Sequence, residues 1–189
     1  MLNDLSKIEI AQIQLNAAIT GLFSGAHLVV VHTLSSAASR ILSDLVDVAS
    51  KKEAWHTMAI NANNLSSKEY FGVIRATSND IKHADRDPHA MVSLEPQDVE
   101  LLLWIATYDL GVLKSSSPES EIYQLWCIAR HAAIFKHDEM GPVVAASCAL
   151  FGDLAKASRL EALAAGRKEL QNIRSLNDAV GPLTDTAPR

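Results

Sequence analysis

One short stretch gathers cationic, amide and proton-transferring side chains together, Arg75-Ala-Thr-Ser-Asn79-Asp-Ile-Lys82-His83-Ala-Asp85-Arg86-Asp87-Pro88-His89. Arginine and lysine stabilise an anion, asparagine donates two N–H groups, and histidine carries protons near neutral pH. At about 100° per residue, with Arg75 at zero, Lys82, Asn79 and Arg86 fall within about 40° of it and His83 lies near 80°. One edge of a helix would then present three cations, an amide and an imidazole, followed at once by Asp85 and Asp87. Such a group suits a site that binds or acts on a phosphodiester or another anion. Arg75, Asn79 and His83 are the catalytic candidates; Lys82, Asp85, Arg86 and Asp87 are the binding candidates. The competing reading is a solvated helix face with mixed i, i+4 charge pairs.

A metal reading uses a different period. An extended chain would project His83, Asp85, Asp87 and His89 to one side, and imidazole with carboxylate suits zinc, manganese or iron. His83 falls inside the helical pattern, however, and the helix end turns it away from the later residues, so no metal is assigned. A second arginine–histidine pair, Arg130 and His137, shares a face only if its helix continues through His137. His32 lies beside Ser36, Ser39 and Ser43 in a small polar stripe, the pattern of close helix approach around a buried, hydrogen-bonded histidine. Asp44 and Asp47 read as solvated, and His27 and His56 carry no pattern. Trp55, Trp104 and Trp126 stand apart and are not spaced as a stacking platform for bases. No glycine-rich phosphate loop, nucleophile elbow or HExxH motif occurs, so no cofactor is expected.

The segment from Arg75 to Pro88, with the earlier His32-Thr33-Leu34, resembles a group of bacterial helical proteins carrying a Lys-His-Ala-Asp-Arg-Asp-Pro segment, over about residues 7–135. More distantly, the helix around Arg75 and the general architecture are similar to the HEPN helical-bundle superfamily. That resemblance implies a compact helical bundle, a homodimer and, in active members, metal-independent RNA cleavage by an arginine and a histidine facing a dimer cleft. Arg75 and His83 would fill those roles here. Active members place four to six residues between the pair, often with a polar residue after the arginine, whereas seven intervene here and Ala76 follows Arg75. Arg130 and His137 do keep that spacing, with six between and His131 after the arginine.

The elements that must position these groups are helices. No proline precedes Pro88, and the six prolines (88, 96, 118, 142, 182, 188) fall at joints or in the tail, where they begin or end helices without breaking one. Asp4 or Ser6 can cap a first helix carrying Ile8, Ala11, Leu15, Ile19 and Leu22, which stops at Ser24-Gly25. Leu28, Val31, Leu34, Ala38, Ile41, Leu45 and Val48 mark a second helix. Ser66 or Ser67 caps a third with Tyr70, Val73, Ile74, Ile81 and Ala84 on its apolar side, and Asn61 to Leu65 before it reads as loop. Ala90 to Leu94 reads as an extended crossover. A fourth helix starts near Pro96 with Val99, Leu102, Ala106, Leu110 and Leu113 as its seam; a fifth follows Pro118 with Ile122, Leu125, Trp126, Ala129 and Ala133. The last runs from about Val143 to Val180, with Gly152 and Gly166 as points where it can bend or split.

With 189 residues, 48% hydrophobic and 21% charged, the chain is long enough to bury a core without disulfides or metal. Aromatics at 5% disfavour a β-sandwich, and the expected fold is an all-α bundle with a four-helix core and one or two additional helices. A single domain over 1–180 and a disordered tail at 181–189 are expected. The net charge of −5 offers no global field for DNA or an anionic membrane. Cys127 and Cys148 lack CxxC spacing and read as reduced thiols of a cytoplasmic protein. The first residues lack a basic and then apolar leader pattern, and Ile19 to Leu34 is too interrupted to span a membrane. The expected function is a homodimeric binding module with a polar site around Arg75; the alternative is a HEPN-like ribonuclease, with RNA as partner.

Overall fold

The computed structural model describes residues 4–83, 85, 87–135 and 139–180. Arg86, His137 and the 181–189 tail lie outside the described residues. The fold is an all-α helical bundle: α1 (Lys7–Ser24), α2 (Leu28–Ser50), α3 (Trp55–Asn63), α4 (Ser67–Lys82), α5 (Pro96–Val112), α6 (Pro118–Arg130), α7 (Gly141–Phe151) and α8 (Arg159–Val180). Among the described residues there is no strand, and the stretch from Ala90 to Leu94 is irregular. The chain divides into two compact units, Met1–Gln124 and Leu125–Arg189, whose boundary falls inside α6.

In the first unit, α1 opens with a capping box: the Glu9 backbone N–H donates to the Ser6 hydroxyl while Glu9 accepts from the Ser6 backbone N–H. Two of the orphan donors at the helix start are thereby satisfied. Gly25 ends the helix at φ 78, a left-handed conformation that glycine adopts without a Cβ penalty. The chain turns back at once, and α2 starts with the His27 Nδ1 accepting from the Val29 N–H at 3.3 Å. Leu15, Ile19 and Phe23 of α1, Val31, Leu42 and Val46 of α2, and Leu103 and Leu110 of α5 are buried together with Tyr123. Burying each of the larger aliphatic side chains contributes about 1.5–3 kcal/mol. The ring of Tyr123 tilts against Phe23 and its hydroxyl donates to the Glu100 carbonyl.

Ser66 and Glu69 repeat the capping box at α4, as Ser66 was expected to do. The core stripes depart from the expected ones in two helices. Val48 and Val73 are 88% and 76% exposed, whereas Ser35, Ser39 and Ser43 of α2 and Ser78 of α4 are buried. Small polar residues occupy inward positions on these helices, so the core keeps Val31, Ala38 and Tyr70 of the expected stripes but not Val48 or Val73. A helix not anticipated at all, α3, takes in Asn61, Ala62 and Asn63, which were read as loop. Trp55 is not isolated either: it packs edge-on against Trp104 and Tyr108, with centroids at 6.4 and 5.4 Å.

At the end of α5, Lys114 sits at φ 54, its N–H bonding the Gly111 carbonyl while the Ser115 N–H reaches Leu110. Left-handed backbone costs a side-chain-bearing residue about 1 kcal/mol or more. Lys114→Gly is therefore expected to raise stability by up to about 1 kcal/mol, read as a higher urea midpoint. An unchanged or lower midpoint would contradict the strain assigned there.

The second unit is held by polar anchors as well as apolar packing. The Trp126 indole N–H donates to the Ala162 carbonyl at 2.7 Å, and the Arg130 guanidinium donates to the Leu154 and Ala157 carbonyls at 2.9 and 2.8 Å. The expected long last helix is split: Gly152 takes φ 76 after α7, and α8 starts afresh with Ser158 and Glu161 exchanging bonds as in α1 and α4. Gly166 lies within α8 without interrupting it.

Candidate functional site

Four helices of the first unit, α2, α3, α4 and α5, line a groove with two chemically different ends. The Lys82 ammonium helps depress the pKa of His32, whose burial is the larger cause, and Asp98 opposes it, so the start of α2, the end of α4 and the start of α5 lie together. At the other end Ser43 of α2 meets His56 of α3, which packs against Tyr70 at the start of α4. α4 therefore runs antiparallel to α2, and α5 parallel to it. Along α2 the groove is lined by Ser36, Ser39, Arg40 and Ser43; across it stand Arg75, Ser78, Asn79 and Lys82 of α4. The cavity holds about 70 Å³, room for roughly five waters at 10–15 Å³ each.

Its cationic side is built from α4. Arg75, Asn79 and Lys82 follow one another at helical spacing, so a single helix delivers all three to the groove. The Arg75 guanidinium carbon stands 3.9 Å from the Phe71 ring centroid, a cation–π contact that holds the side chain over the cavity. Burial, and then the neighbouring Arg40, lower the Arg75 pKa from its ordinary value; Asp44 and Tyr70 oppose them. An arginine remains charged under such a shift, so the lowering registers first a guanidinium drawn partly out of water and only then the second guanidinium beside it. Arg40 has Asp44 at 3.4 Å, but both side chains are more than half exposed and solvent weakens that pair.

The other end is acidic. His56 stands between Ser43 and Asp47, its Nδ1 3.2 Å from the Ser43 hydroxyl and its Nε2 3.1 Å from Asp47 Oδ1. The Asp47 contact is close but poorly aligned for a hydrogen bond. Asp109 of α5 also lines the groove and is 1% exposed. Its Oδ1 accepts the Trp55 backbone N–H at 3.0 Å, so it caps α3 from another helix, while its Oδ2 is buried with no hydrogen-bond partner. Burial raises the Asp109 pKa; the Trp55 N–H and His56 lower it, and Asp47 raises it. Burial, with a contribution from Asp109, pushes the Tyr70 phenol up to about 12, Arg75 pulling the other way.

The structure thus brings Arg75, Asn79 and Lys82 together on one cavity and leaves His83 out of it. His83 is the C-cap of α4, with its Nδ1 3.9 Å from an Asp85 carboxylate oxygen. Asp85 and Asp87 are exposed, and Asp87 accepts the His89 backbone N–H at 3.2 Å, a local turn bond. Among the described residues no group of three or more His, Cys, Asp or Glu could hold a metal, so His83, Asp85, Asp87 and His89 do not converge. Arg130 is occupied with backbone carbonyls of the second unit. His32 is buried, as expected, yet its Nδ1 has no hydrogen-bond partner.

The sequence reading missed Arg40, His56, Tyr70 and Asp109 as site residues, and it placed Asp47 in solvent. The Arg75 edge and the serine stripe both point toward this surface: Arg75, Asn79 and Lys82 line one wall, and Ser36, Ser39 and Ser43 share the α2 face that lines the other.

Comparison with protein-family models, with curated proteins and with solved structures finds no match. Among the described residues no helix is long and apolar enough to cross a membrane, and Cys127 and Cys148 form no disulfide.

Proposed function

We propose that this chain is a binding module whose groove takes up a small anionic molecule, a carboxylate or phosphate, at Arg75, Asn79 and Lys82. The carrying observation is the convergence of those three side chains, with Arg40, on a serine-lined cavity in a chain of net charge −5. Guanidinium and amide groups fixed beside hydroxyls are the donors that carboxylate and phosphate oxygens accept from. The ribonuclease implied by the HEPN resemblance has less support, because it needs a histidine free to move a proton beside Arg75. His83 lies outside the groove, and both nitrogens of His56 already face Ser43 and Asp47. Two further expectations go with the binding reading: a homodimer, and a cytoplasmic location in keeping with two cysteines outside any disulfide.

Calorimetry with inorganic phosphate and short carboxylates tests the proposal. Arg75→Ala is expected to weaken binding by roughly tenfold to a hundredfold, the equivalent of about 1.5–3 kcal/mol for a hydrogen bond to a charged group. Asn79→Ala should weaken it less, and its thermal stability should change by no more than about 0.5 kcal/mol because the position is exposed. Equal affinity in wild type and Arg75→Ala would remove the proposal. Metal-independent RNA cleavage by the wild type, abolished by His83→Ala, would replace it with the ribonuclease. Sedimentation of a monomer at micromolar concentration would remove the homodimer.

A further inference from the structure

The groove is not uniformly cationic. From Ser36 to Ser43 the α2 wall advances about 10 Å at 1.5 Å per residue. Over that length its chemistry changes from Asn79, Arg75 and Arg40 to His56, Tyr70 and Asp109. Asp109 is the group that the fold alone does not explain. Capping α3 uses one carboxylate oxygen, and the other is buried, unpartnered and part of a residue lining the cavity. A buried acceptor left without a donor is destabilising, and more so when it carries charge. A ligand that brings a donor to that oxygen recovers this cost, and a cationic donor recovers most of it.

We infer that the groove selects a small zwitterion: a carboxylate held by Arg75, Asn79 and Lys82, and an ammonium reaching the free oxygen of Asp109. Ligands of this class are ω-amino acids short enough for a cavity of about 70 Å³. The serine hydroxyls between the two ends can donate or accept, which suits a ligand whose polarity reverses along its length. Asp47 and its contact with His56 add negative charge at the same end. Arg40, balanced in part by Asp44, adds positive charge on the carboxylate side. The inference depends on the anion-binding reading above and adds a second recognition point to it.

Calorimetry on the full chain compares β-alanine, γ-aminobutyrate and δ-aminovalerate with propionate, butyrate and valerate. At least one amino acid is expected to bind the wild type tenfold or more tightly than its matched acid. Asp109→Asn keeps an oxygen to accept from the Trp55 N–H but removes the negative charge. It should erase the tenfold advantage of each amino acid over its matched acid, with the helical far-UV spectrum retained. Arg75→Ala should weaken both series. If acids and amino acids bind the wild type equally, the zwitterion inference fails and the anion site stands. If neither series binds, the zwitterion inference fails, and the anion site stands only if inorganic phosphate binds. An amine advantage that survives Asp109→Asn assigns the ammonium to another group and overturns the role given to Asp109. The wild-type comparison decides the first two outcomes even if the variant does not fold.

Discussion

Replacing Trp126 with alanine is expected to cost about 3–5 kcal/mol, the range for truncating a buried tryptophan. The side chain is fully buried, and its indole N–H is donated to the carbonyl of Ala162, in the first turn of α8. Truncation therefore opens a cavity and also removes the indole's hydrogen bond to a carbonyl whose other bond is the helix's own. Trp126→Phe separates the two effects. It keeps most of the apolar volume and loses the N–H, so its cost should fall to a fraction of the alanine value. Urea unfolding of the two variants against wild type gives the measurement. With total stabilities of single domains near 5–15 kcal/mol, the alanine variant should show a midpoint displaced far below wild type. A displacement worth less than about 1 kcal/mol would mean that Trp126 is not the anchor of the second unit.

The second large effect is alkaline. Tyr70 is 7% exposed, and its phenol is pushed up to about 12 from an ordinary value of 10.0, chiefly by burial. Because the folded pKa lies above the unfolded one, the stabilisation is fully present below pH 10 and is lost as pH climbs toward 12. At about 1.36 kcal/mol per pKa unit the loss approaches about 2–3 kcal/mol. Tyr70→Phe cannot ionise there, so its melting temperature should stay close to that of wild type at pH 8 and exceed it progressively from pH 10 upward. Parallel curves for the two proteins across that window would show that ionisation of Tyr70 is not coupled to unfolding.

What could be read from the sequence depended on whether the controlling interaction was local. Ser66 and Glu69 are three residues apart and start α4 by bonding each other, and Pro96 starts α5 for the equally local reason that it lacks the N–H a helix start leaves unpaired. α3 has no such signal. Its first backbone N–H is satisfied by Asp109, 54 residues away, and Ala54 before it offers no capping side chain. The apolar stripes failed for a related reason. Val73 is an ideal core residue by type, yet serines occupy inward positions on α2 and α4, because that side of each helix faces a polar groove.

The same division explains the site. Arg75, Asn79 and Lys82 could be placed on one edge because a single helix sets their relation. The groove that gives the edge a use is closed by residues of α2, α3 and α5, and no spacing rule links Arg40 to His56 or Asp109. His83 failed at the helix terminus: an angle of about 80° has meaning only while the helix continues, and α4 ends at Lys82.

Three helices, α1, α4 and α8, begin with a serine whose partner glutamate lies three residues on. In all three the glutamate pKa is lowered, first by the serine hydroxyl and then by the serine backbone N–H. A lowered carboxylate pKa means support that is complete above the ordinary glutamate range and is withdrawn as acid protonates the group. One chemical event, proton uptake, thus releases three first turns together, in both units, while the apolar contacts of their later turns are untouched. Acid would loosen this protein at the beginnings of these three helices.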